Sequence, residues 1–197
     1  MSNSNLKNLI LDTLEQSILV KKDFIGNNTA LIEKGAETMA NALVQGNKII
    51  LFGNGGSAAD AQHIAAEFIN RFRMERAPLA AIALTTDSSV ITSIANDYSF
   101  EDIFAKQIQA LGKKKDIAIA ITTSGNSPNV IKAAEQAAAM GIKVIGFSGS
   151  MGKLKKIADI PFCVNSDITA RIQETHITLA HILCDLTERI IYHKQLP

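Results

Sequence analysis

Five short apolar runs alternate with helical segments, and this alternation limits the possible folds more than any other feature of the chain. The runs are rich in β-branched residues and stay apolar at consecutive positions; they span 48–52, 79–84, 116–121, 143–147 and 160–164. Strands of this composition are buried on both faces, as in a parallel sheet covered by helices. The pattern therefore predicts an α/β fold, a three-layer sandwich with a five-stranded parallel sheet.

The segments around these runs have helical spacing. The predicted helices of the core span 57–71, 88–95, 100–111, 127–140, 151–157 and 170–192. Two further helices are predicted before the first strand, over 5–25 and 30–45, with Asn27, Asn28 and Thr29 breaking the pattern and Gly46 ending it. We therefore expect one domain over 1–197, with N-terminal helices in 1–46 and an α/β core in 47–197.

Composition excludes some classes of function. The 197 residues are 47% hydrophobic and 20% charged, and the formal net charge of +1 provides no bulk attraction to nucleic acid or to an acidic membrane. The first ten residues lack the pattern of a signal peptide, and no apolar run reaches membrane-spanning length. Cys163 and Cys184 share no motif spacing, which predicts two reduced, buried thiols. We expect a cytoplasmic protein that binds neither nucleic acid nor a membrane.

The loop after the first strand, residues 53–57 (the glycine loop), is built for a backbone-lined anion site. Glycines allow close approach of a ligand, and the helix that follows offers unpaired N–H groups. The loop matches a loose dinucleotide fingerprint, but the acidic residue expected about twenty positions later is missing, since Asp87 comes too late. No Gly-Lys-Ser/Thr follows either, so no nucleotide cofactor is predicted. A tight strand–helix turn without a ligand is the alternative.

The loop after the third strand, residues 122–128 (the hydroxyl loop), reads Thr-Thr-Ser-Gly-Asn-Ser-Pro. It opens a helix, and Pro128 suits the first helical position. Hydroxyls and backbone N–H groups at a helix N-terminus suit a phosphate monoester without any lysine or arginine. The alternative is a serine N-cap with a polar turn.

Histidine, glutamate and glutamine side chains occur at helical spacing in two distant segments. His63 and Glu67 are one turn apart and share a helix face, while Gln173 and His181 share a face of the last helix and His176 lies elsewhere on it. A lone histidine on an apolar helix is commonly a packed residue. Asn96 and Asp97 would by default end a helix, or they could contact a sugar hydroxyl.

Four stretches together resemble the SIS (sugar isomerase) domain family: GNGGSAADAQHIAAEF, IANDYSFEDIF, TSGNSPNVIKA and RIQETHITLAHIL. Within that family the chain is similar to the phosphoheptose isomerases over essentially its whole length. The resemblance implies a flavodoxin-like SIS fold. It also implies the interconversion of sedoheptulose 7-phosphate and D-glycero-D-manno-heptose 7-phosphate.

The resemblance implies a role for each matching residue. Glu67 and His181 would be the catalytic acid–base pair. The substrate-binding residues would be Asn54, Gly55, Gly56 and Glu67 near the sugar, Thr122, Thr123, Ser124 and Ser127 at the phosphate, and Asn96, Asp97 and Gln173 along the substrate. Zinc, one ion per subunit, would be held by His63, Glu67, Gln173 and His181.

The family further implies a cytoplasmic homotetramer with active sites between subunits, supplying nucleotide-activated heptose to lipopolysaccharide, capsule or other surface glycans. The spacing of two of these zinc ligands makes it difficult for one ion to contact both, because Gln173 and His181 are separated by about 12 Å of rise along a straight helix. Either the helix starts after Gln173, or the side chains converge strongly, or one ligand comes from another subunit. A zinc ion on Glu67 would also compete with its use as a base.

Two other functions fit the same fold. One is a SIS isomerase of a different sugar phosphate. The other is a non-catalytic SIS tetramer, as in a replication-initiator-associating relative that lacks counterparts of Glu67 and His181. This chain has both residues, which favours the enzyme. It departs from some isomerases at Ala170, where they have an aspartate.

Overall fold

The fold is described by a computed structural model of residues 3–192. Its strands are β1 (Ile49–Gly53), β2 (Ala81–Ala83), β3 (Ile117–Thr122), β4 (Lys143–Gly149) and β5 (Ile160–Val164). They form one sheet in the order β2-β1-β3-β4-β5, and every pairing is parallel. The predicted five-stranded parallel sheet is confirmed. The ends of the predicted domain, residues 1–2 and 193–197, lie outside the described residues.

The helices are α1 (Asn3–Val44), α2 (Gly56–Ile69), α3 (Ser88–Asp97), α4 (Ala105–Leu111), α5 (Pro128–Ala139), α6 (Leu154–Ile157) and α7 (Thr169–Tyr192). Most bounds agree with the predicted ones to within a few residues. The predicted helix over 100–111 is wrong in its first part, where Phe100–Asp102 is a separate 3₁₀ turn. Ser99 caps this turn by accepting a hydrogen bond from the Glu101 backbone N–H, which starts a new element there.

Two apolar cores lie on the two faces of the sheet. On one face, α1, α2 and α7 pack on alternate strand residues such as Leu51 and Phe147. On the other face, α3 to α6 pack on the residues between them, such as Phe52 and Val144. The chain is therefore the predicted three-layer sandwich, with strands buried on both sides.

The N-terminal segment corrects the sequence prediction. In place of two helices broken at Asn27, Asn28 and Thr29, one helix runs from Asn3 to Val44. The asparagine side chains do not cap a new helix: Asn27 donates to the Asp23 carboxylate and Asn28 to the Phe24 carbonyl, each one turn back. Asparagine lowers helix propensity only weakly, so packing of α1 along α7 decides the outcome.

Two smaller expectations concern thiols and membranes. Both cysteines are free; Cys184 is buried as predicted, whereas Cys163 is only partly buried. Within residues 3–192, no helix combines the length and the apolar character that crossing a membrane requires.

Candidate active site

The glycine loop and the hydroxyl loop lie side by side at the carboxyl edge of the sheet. They follow the adjacent strands β1 and β3, and Gly53 at the end of β1 pairs with Ile121, one residue before the end of β3. The helices that follow, α2 and α5, lie on opposite faces of the sheet. Ligands of such sheets bind where the connections diverge to opposite faces. The fold therefore places both predicted anion-binding loops in one crevice.

Two glycines of the first loop are required by close packing. A methyl group at Gly53 would lie 2.8 Å from the Ile121 carbonyl oxygen and equally close to Ser57 Cβ. A methyl group at Gly56 would lie 2.6 Å from Nε2 of Gln173. The absence of side chains thus lets β1 turn tightly into α2 and lets the Gln173 amide reach the loop.

Asn54 and Asn129 join the glycine loop directly to the first turn of α5. Each side-chain amide donates to the other's carbonyl oxygen at 2.8 Å, and Asn129 Oδ1 also accepts from the Val130 N–H. Asn129 is 2% exposed. Sequence reasoning missed Asn129, because a polar residue in the first turn of a helix has many explanations. The pair holds the glycine loop against the start of α5.

The hydroxyl loop presents a compact group of donors. Thr122 Oγ1 lies 2.8 Å from Ser127 Oγ and 3.3 Å from Ser124 Oγ, and the Asn126 N–H bonds to Ser124 Oγ. Ser127 is the N-cap of α5, but its side chain makes no capping bond. Pro128 has no N–H and the Val130 N–H already donates to Asn129 Oδ1, so the Asn129 N–H and the Ser127 hydroxyl are the donors that this helix start can offer an anion.

His63, Glu67 and His181 form the His–Glu cluster between α2 and α7. One ligand atom from each residue lies within 4.8 Å of the others. The two imidazole Nε2 atoms are 2.9 Å apart, and His63 Nε2 lies 3.3 Å from Glu67 Oε1. Residues more than a hundred positions apart in sequence are thus brought together by the pairing of two helices.

The surroundings of His181 favour its neutral form. Burial, together with the nearby His63, lowers its pKa below the ordinary value, although Glu67 acts in the opposite direction. The Phe72 ring lies nearly parallel to the imidazole, with 5.2 Å between centroids and 27° between planes. A neutral imidazole beside a carboxylate can accept or donate protons near neutral pH.

The cluster is well separated from the loops within one chain. Glu67 lies eleven residues after Gly56 on α2, about 16 Å of helix rise. Just beyond it, the Phe68 carbonyl accepts from the Leu79 N–H, directly before β2 starts at the opposite edge of the sheet. The loops and the cluster therefore occupy opposite ends of α2.

Gln173 lies at the loop end of α7, away from the cluster. Because α7 begins at Thr169, the alternative in which the helix starts after Gln173 is wrong. The remaining rise of about 12 Å separates Gln173 from His181. His176 is 1% exposed and packs on Phe147, with Nε2 at 3.2 Å from the Ser148 carbonyl oxygen. It is a core residue.

Asn96 and Asp97 end α3, as the default interpretation of the sequence has it. Both are exposed, and Asn96 donates to the Asp97 carboxylate. Among residues 3–192, no hydrogen bond joins either of them to the hydroxyl loop or to the His–Glu cluster. Their predicted contact with substrate stays a prediction.

Comparisons with known proteins agree with this architecture. Residues 14–149 match the SIS domain family. The phosphoheptose isomerase of Thermodesulfovibrio yellowstonii is 54% identical over 188 residues, covering 95% of this chain and 94% of the relative. A solved phosphoheptose isomerase from Francisella tularensis is 40% identical with a TM-score of 0.89 and covers 96% of this chain and 100% of its own. A solved phosphoheptose isomerase from Neisseria gonorrhoeae is 41% identical with a TM-score of 0.86, and the match covers 92% of this chain and 99% of the solved one.

Proposed function

Since the chain belongs to the SIS domain family and, within it, to the phosphoheptose isomerases, we propose that it interconverts sedoheptulose 7-phosphate and D-glycero-D-manno-heptose 7-phosphate. The observation that carries the proposal is the meeting of Glu67 with His181, since a carboxylate and an imidazole within 4.8 Å are what this chemistry requires. Residues 1–197 would act as a single SIS domain.

The reaction moves a proton between C1 and C2 while the carbonyl changes place. The carbon acid is weak, so a base must come within hydrogen-bonding reach of the proton, and the enediol oxygen needs a proton donor. In the proposal Glu67 shuttles the carbon-bound proton, and His181 handles the oxygen protons, including those of ring opening. The lowered pKa of His181 keeps a larger share of the ring neutral at pH 7, ready to accept such a proton.

Substrate binding is assigned to the carboxyl edge of the sheet. The phosphate would bind Ser124 and Ser127 together with Thr122 and Thr123, and the sugar would contact Asn54, Gly55 and Gly56. Asn96, Asp97 and Gln173 would contact the rest of the substrate. What supports this is the grouping of hydroxyls at the start of α5 and the amide pair that joins the glycine loop to the same helix. Holding the phosphate positions the reacting carbons.

The distance along α2 supports an active site shared between copies of the chain. The rise of about 16 Å from Gly56 to Glu67 exceeds the length of an extended seven-carbon sugar phosphate. We therefore propose that the loops of one subunit face the His–Glu cluster of another, in a homotetramer. Exposed apolar side chains on α1 support such an assembly; they are Leu6, Leu9, Ile10, Leu11, Leu14, Ile18 and Leu19.

Zinc is a further part of the proposal. Two imidazoles and a carboxylate within 4.8 Å are nitrogen and oxygen donors suited to Zn²⁺, so His63, Glu67 and His181 fit the ion. Gln173 would join them from a second copy, given its position at the loop end of α7. When bound, zinc supplies Lewis acidity towards a substrate oxygen. Metal analysis of the purified protein, with turnover measured before and after chelation, tests whether the ion helps or inhibits.

We also propose that the protein works in the cytoplasm and supplies heptose for lipopolysaccharide, capsule or another surface glycan. The support is chemical: a charged sugar phosphate does not cross a lipid bilayer unaided, so its isomerase belongs where the phosphate is made.

The deciding experiment is incubation of the protein with sedoheptulose 7-phosphate while aldoheptose 7-phosphate is followed by chromatography. We expect turnover in the wild type and its loss in Glu67→Gln. A six-carbon ketose phosphate, assayed in parallel, separates this enzyme from an isomerase of shorter sugars. Binding of the heptose phosphate without any turnover would overturn the proposal in favour of a non-catalytic SIS tetramer.

A further inference from the structure

A buried ion pair lies directly behind the His–Glu cluster. Arg76, in the segment between α2 and β2, contacts Glu188 of α7 with 2.8 Å between Nε and Oε1. The arginine side chain is 1% exposed and the glutamate is fully buried. Desolvating two charges is expensive, and apolar residues of similar size often give equal or greater stability at such a position. The presence of both charges therefore points to a role other than stability.

The arginine binds the end of the helix that carries Glu67. Its Nη2 donates to the Glu67 backbone carbonyl at 2.8 Å, and its Nη1 donates to the Phe68 carbonyl at 2.8 Å. Nη1 also donates to the Asn70 and Ala77 carbonyls, at 3.3 and 3.1 Å. The last carbonyls of α2 have no helical partner of their own, so the guanidinium closes the helix at the residue that carries the carboxylate.

The glutamate binds the segment that carries Phe72. Its carboxylate accepts the backbone N–H groups of Phe72, Arg73 and Met74 at 2.9 to 3.2 Å. Burial alone would raise its pKa, but these three bonds and Arg76 hold the pKa below its ordinary value, so the group is ionised near neutral pH. Because Glu188 follows His181 by seven residues, the two share a face of α7.

We propose that Arg76 and Glu188 are positioning residues that set the distance and orientation between Glu67 and His181. One member fixes the backbone of Glu67, and the other fixes the Phe72 ring that packs on the His181 imidazole. The pair acts through these neighbours and does not touch the substrate. The catalytic consequence rests on the proposed isomerase function, whereas the geometric one does not.

A matched control lies elsewhere at the same edge of the sheet. Asp116 is 1% exposed, pairs with Lys48 and accepts the backbone N–H groups of Lys48 and Lys113. It resembles Glu188 in burial and in bonding, but its partners lie in neither α2 nor α7. Asp116→Asn therefore reports the effect of weakening a buried ion pair without disturbing the cluster.

The experiment compares Arg76→Lys, Glu188→Gln and Asp116→Asn with the wild type. Arg76→Lys keeps the positive charge but loses the planar fork that reaches several carbonyls. We expect kcat to fall about 10- to 100-fold in both network variants with KM nearly unchanged, because misplacement of reacting groups by about 1 Å has effects of this size. Asp116→Asn should keep the wild-type kcat, even if its thermal unfolding midpoint falls as far as those of Arg76→Lys and Glu188→Gln.

A second measurement does not depend on turnover. The chain has four histidines, so the His181 imidazole resonances can be assigned by NMR, and the Phe72 ring current shifts them. We expect these resonances to move in the network variants and to stay in Asp116→Asn. If a network variant fails to fold, Phe72→Leu leaves the backbone bonds in place and removes only the ring. Its kcat should fall with KM nearly unchanged, and a wild-type kcat would contradict the positioning of His181 through Phe72.

The outcomes separate the two proposals. An inactive wild type with shifted His181 resonances in the variants would overturn the isomerase function and support the positioning role. An active wild type, with wild-type kcat and unmoved resonances in folded Arg76→Lys or Glu188→Gln, would overturn the positioning role alone. An equal loss of kcat in Asp116→Asn would also contradict the positioning role, because the Arg76–Glu188 pair would then affect kcat only through stability.

Discussion

The two ends of helix α2 differ in how their chemistry is built. At its start, the glycine and hydroxyl loops offer amides and hydroxyls on segments that are continuous in sequence. At its far end, the His–Glu cluster combines ionisable side chains from α2 and α7, backed by a buried ion pair. An anion can be bound by N–H and O–H donors that lie together in the loop before a helix. Proton transfer needs acidic and basic side chains at a set distance, and here the packing of two helices sets that distance.

The largest effect is expected at the cluster. Glu67→Gln and His181→Ala should each lower kcat about 10³-fold, because general acid–base groups contribute on this order. Glu75→Gln is the control, since this exposed carboxylate has Arg71, one turn away, as its sole ion-pair partner among residues 3–192. Steady-state kinetics with sedoheptulose 7-phosphate provide the measurement. Near-wild-type kcat in either cluster variant would contradict the assignment of roles.

Complementation tests whether the two ends of α2 serve the same substrate across subunits. Glu67→Gln and a Thr122→Val, Ser127→Ala double variant, each nearly inactive at limiting substrate, are mixed, unfolded together and refolded. If each site takes its loops from one copy and its cluster from another, about a quarter of the sites regain both, raising activity far above either parent. Activity no greater than the mean of the parents would place both ends of one site in a single chain.

The hydroxyl loop should show a different kinetic signature from the cluster. Ser127→Ala removes a hydroxyl that does not cap α5, so the helix should persist. We expect KM to rise about 10-fold with kcat little changed, as for the loss of a bond to a charged group that is equally strong in ground and transition states. The control is Ser148→Ala, because the Ser148 hydroxyl is buried and donates to the Gly149 carbonyl. A fall in kcat without a change in KM would assign Ser127 to the chemistry instead.

A separate effect, on stability rather than on turnover, is expected at His176, the buried histidine of α7. Burial lowers the pKa of His176 to about 4, against an ordinary value of 6.5, although its bond to Ser148 acts oppositely. Between the folded and the unfolded pKa, His176 binds a proton in the unfolded chain but not in the folded chain. The stability of the fold therefore decreases as the pH falls. Between pH 7 and pH 5 the free energy of unfolding should therefore fall by about 2 kcal/mol. Urea unfolding should show a flatter pH dependence for His176→Gln, and parallel curves would contradict the prediction.

Much of this molecule follows from local patterns. The strands are apolar at consecutive positions, so burial on both faces, and with it the parallel sheet, could be predicted without any tertiary information. The hydroxyl loop could be found because its residues are adjacent. The break predicted at Asn27 failed because a weak local preference lost to the packing of α1 on α7.

Other parts of the site carry no local signal. Arg76 lies in an irregular segment, and its partner Glu188 is more than a hundred residues away. Asn129 looks like an ordinary first-turn residue until Asn54 is seen opposite it. Each of these residues pairs with a side chain far away in sequence, and that pairing depends on how the helices cover the sheet.

The sequence by itself determined the class of fold, the glycine and hydroxyl loops and the residue types available for proton transfer, because strand burial and helix starts depend on neighbouring residues. Only the tertiary structure decided that His63, Glu67 and His181 meet, that they meet at the end of α2 away from the loops, and that Arg76 pairs with Glu188 at the same helix end. These facts depend on the packing of α2 against α7, and contacts between distant segments are specified by the whole core rather than by any short stretch of chain.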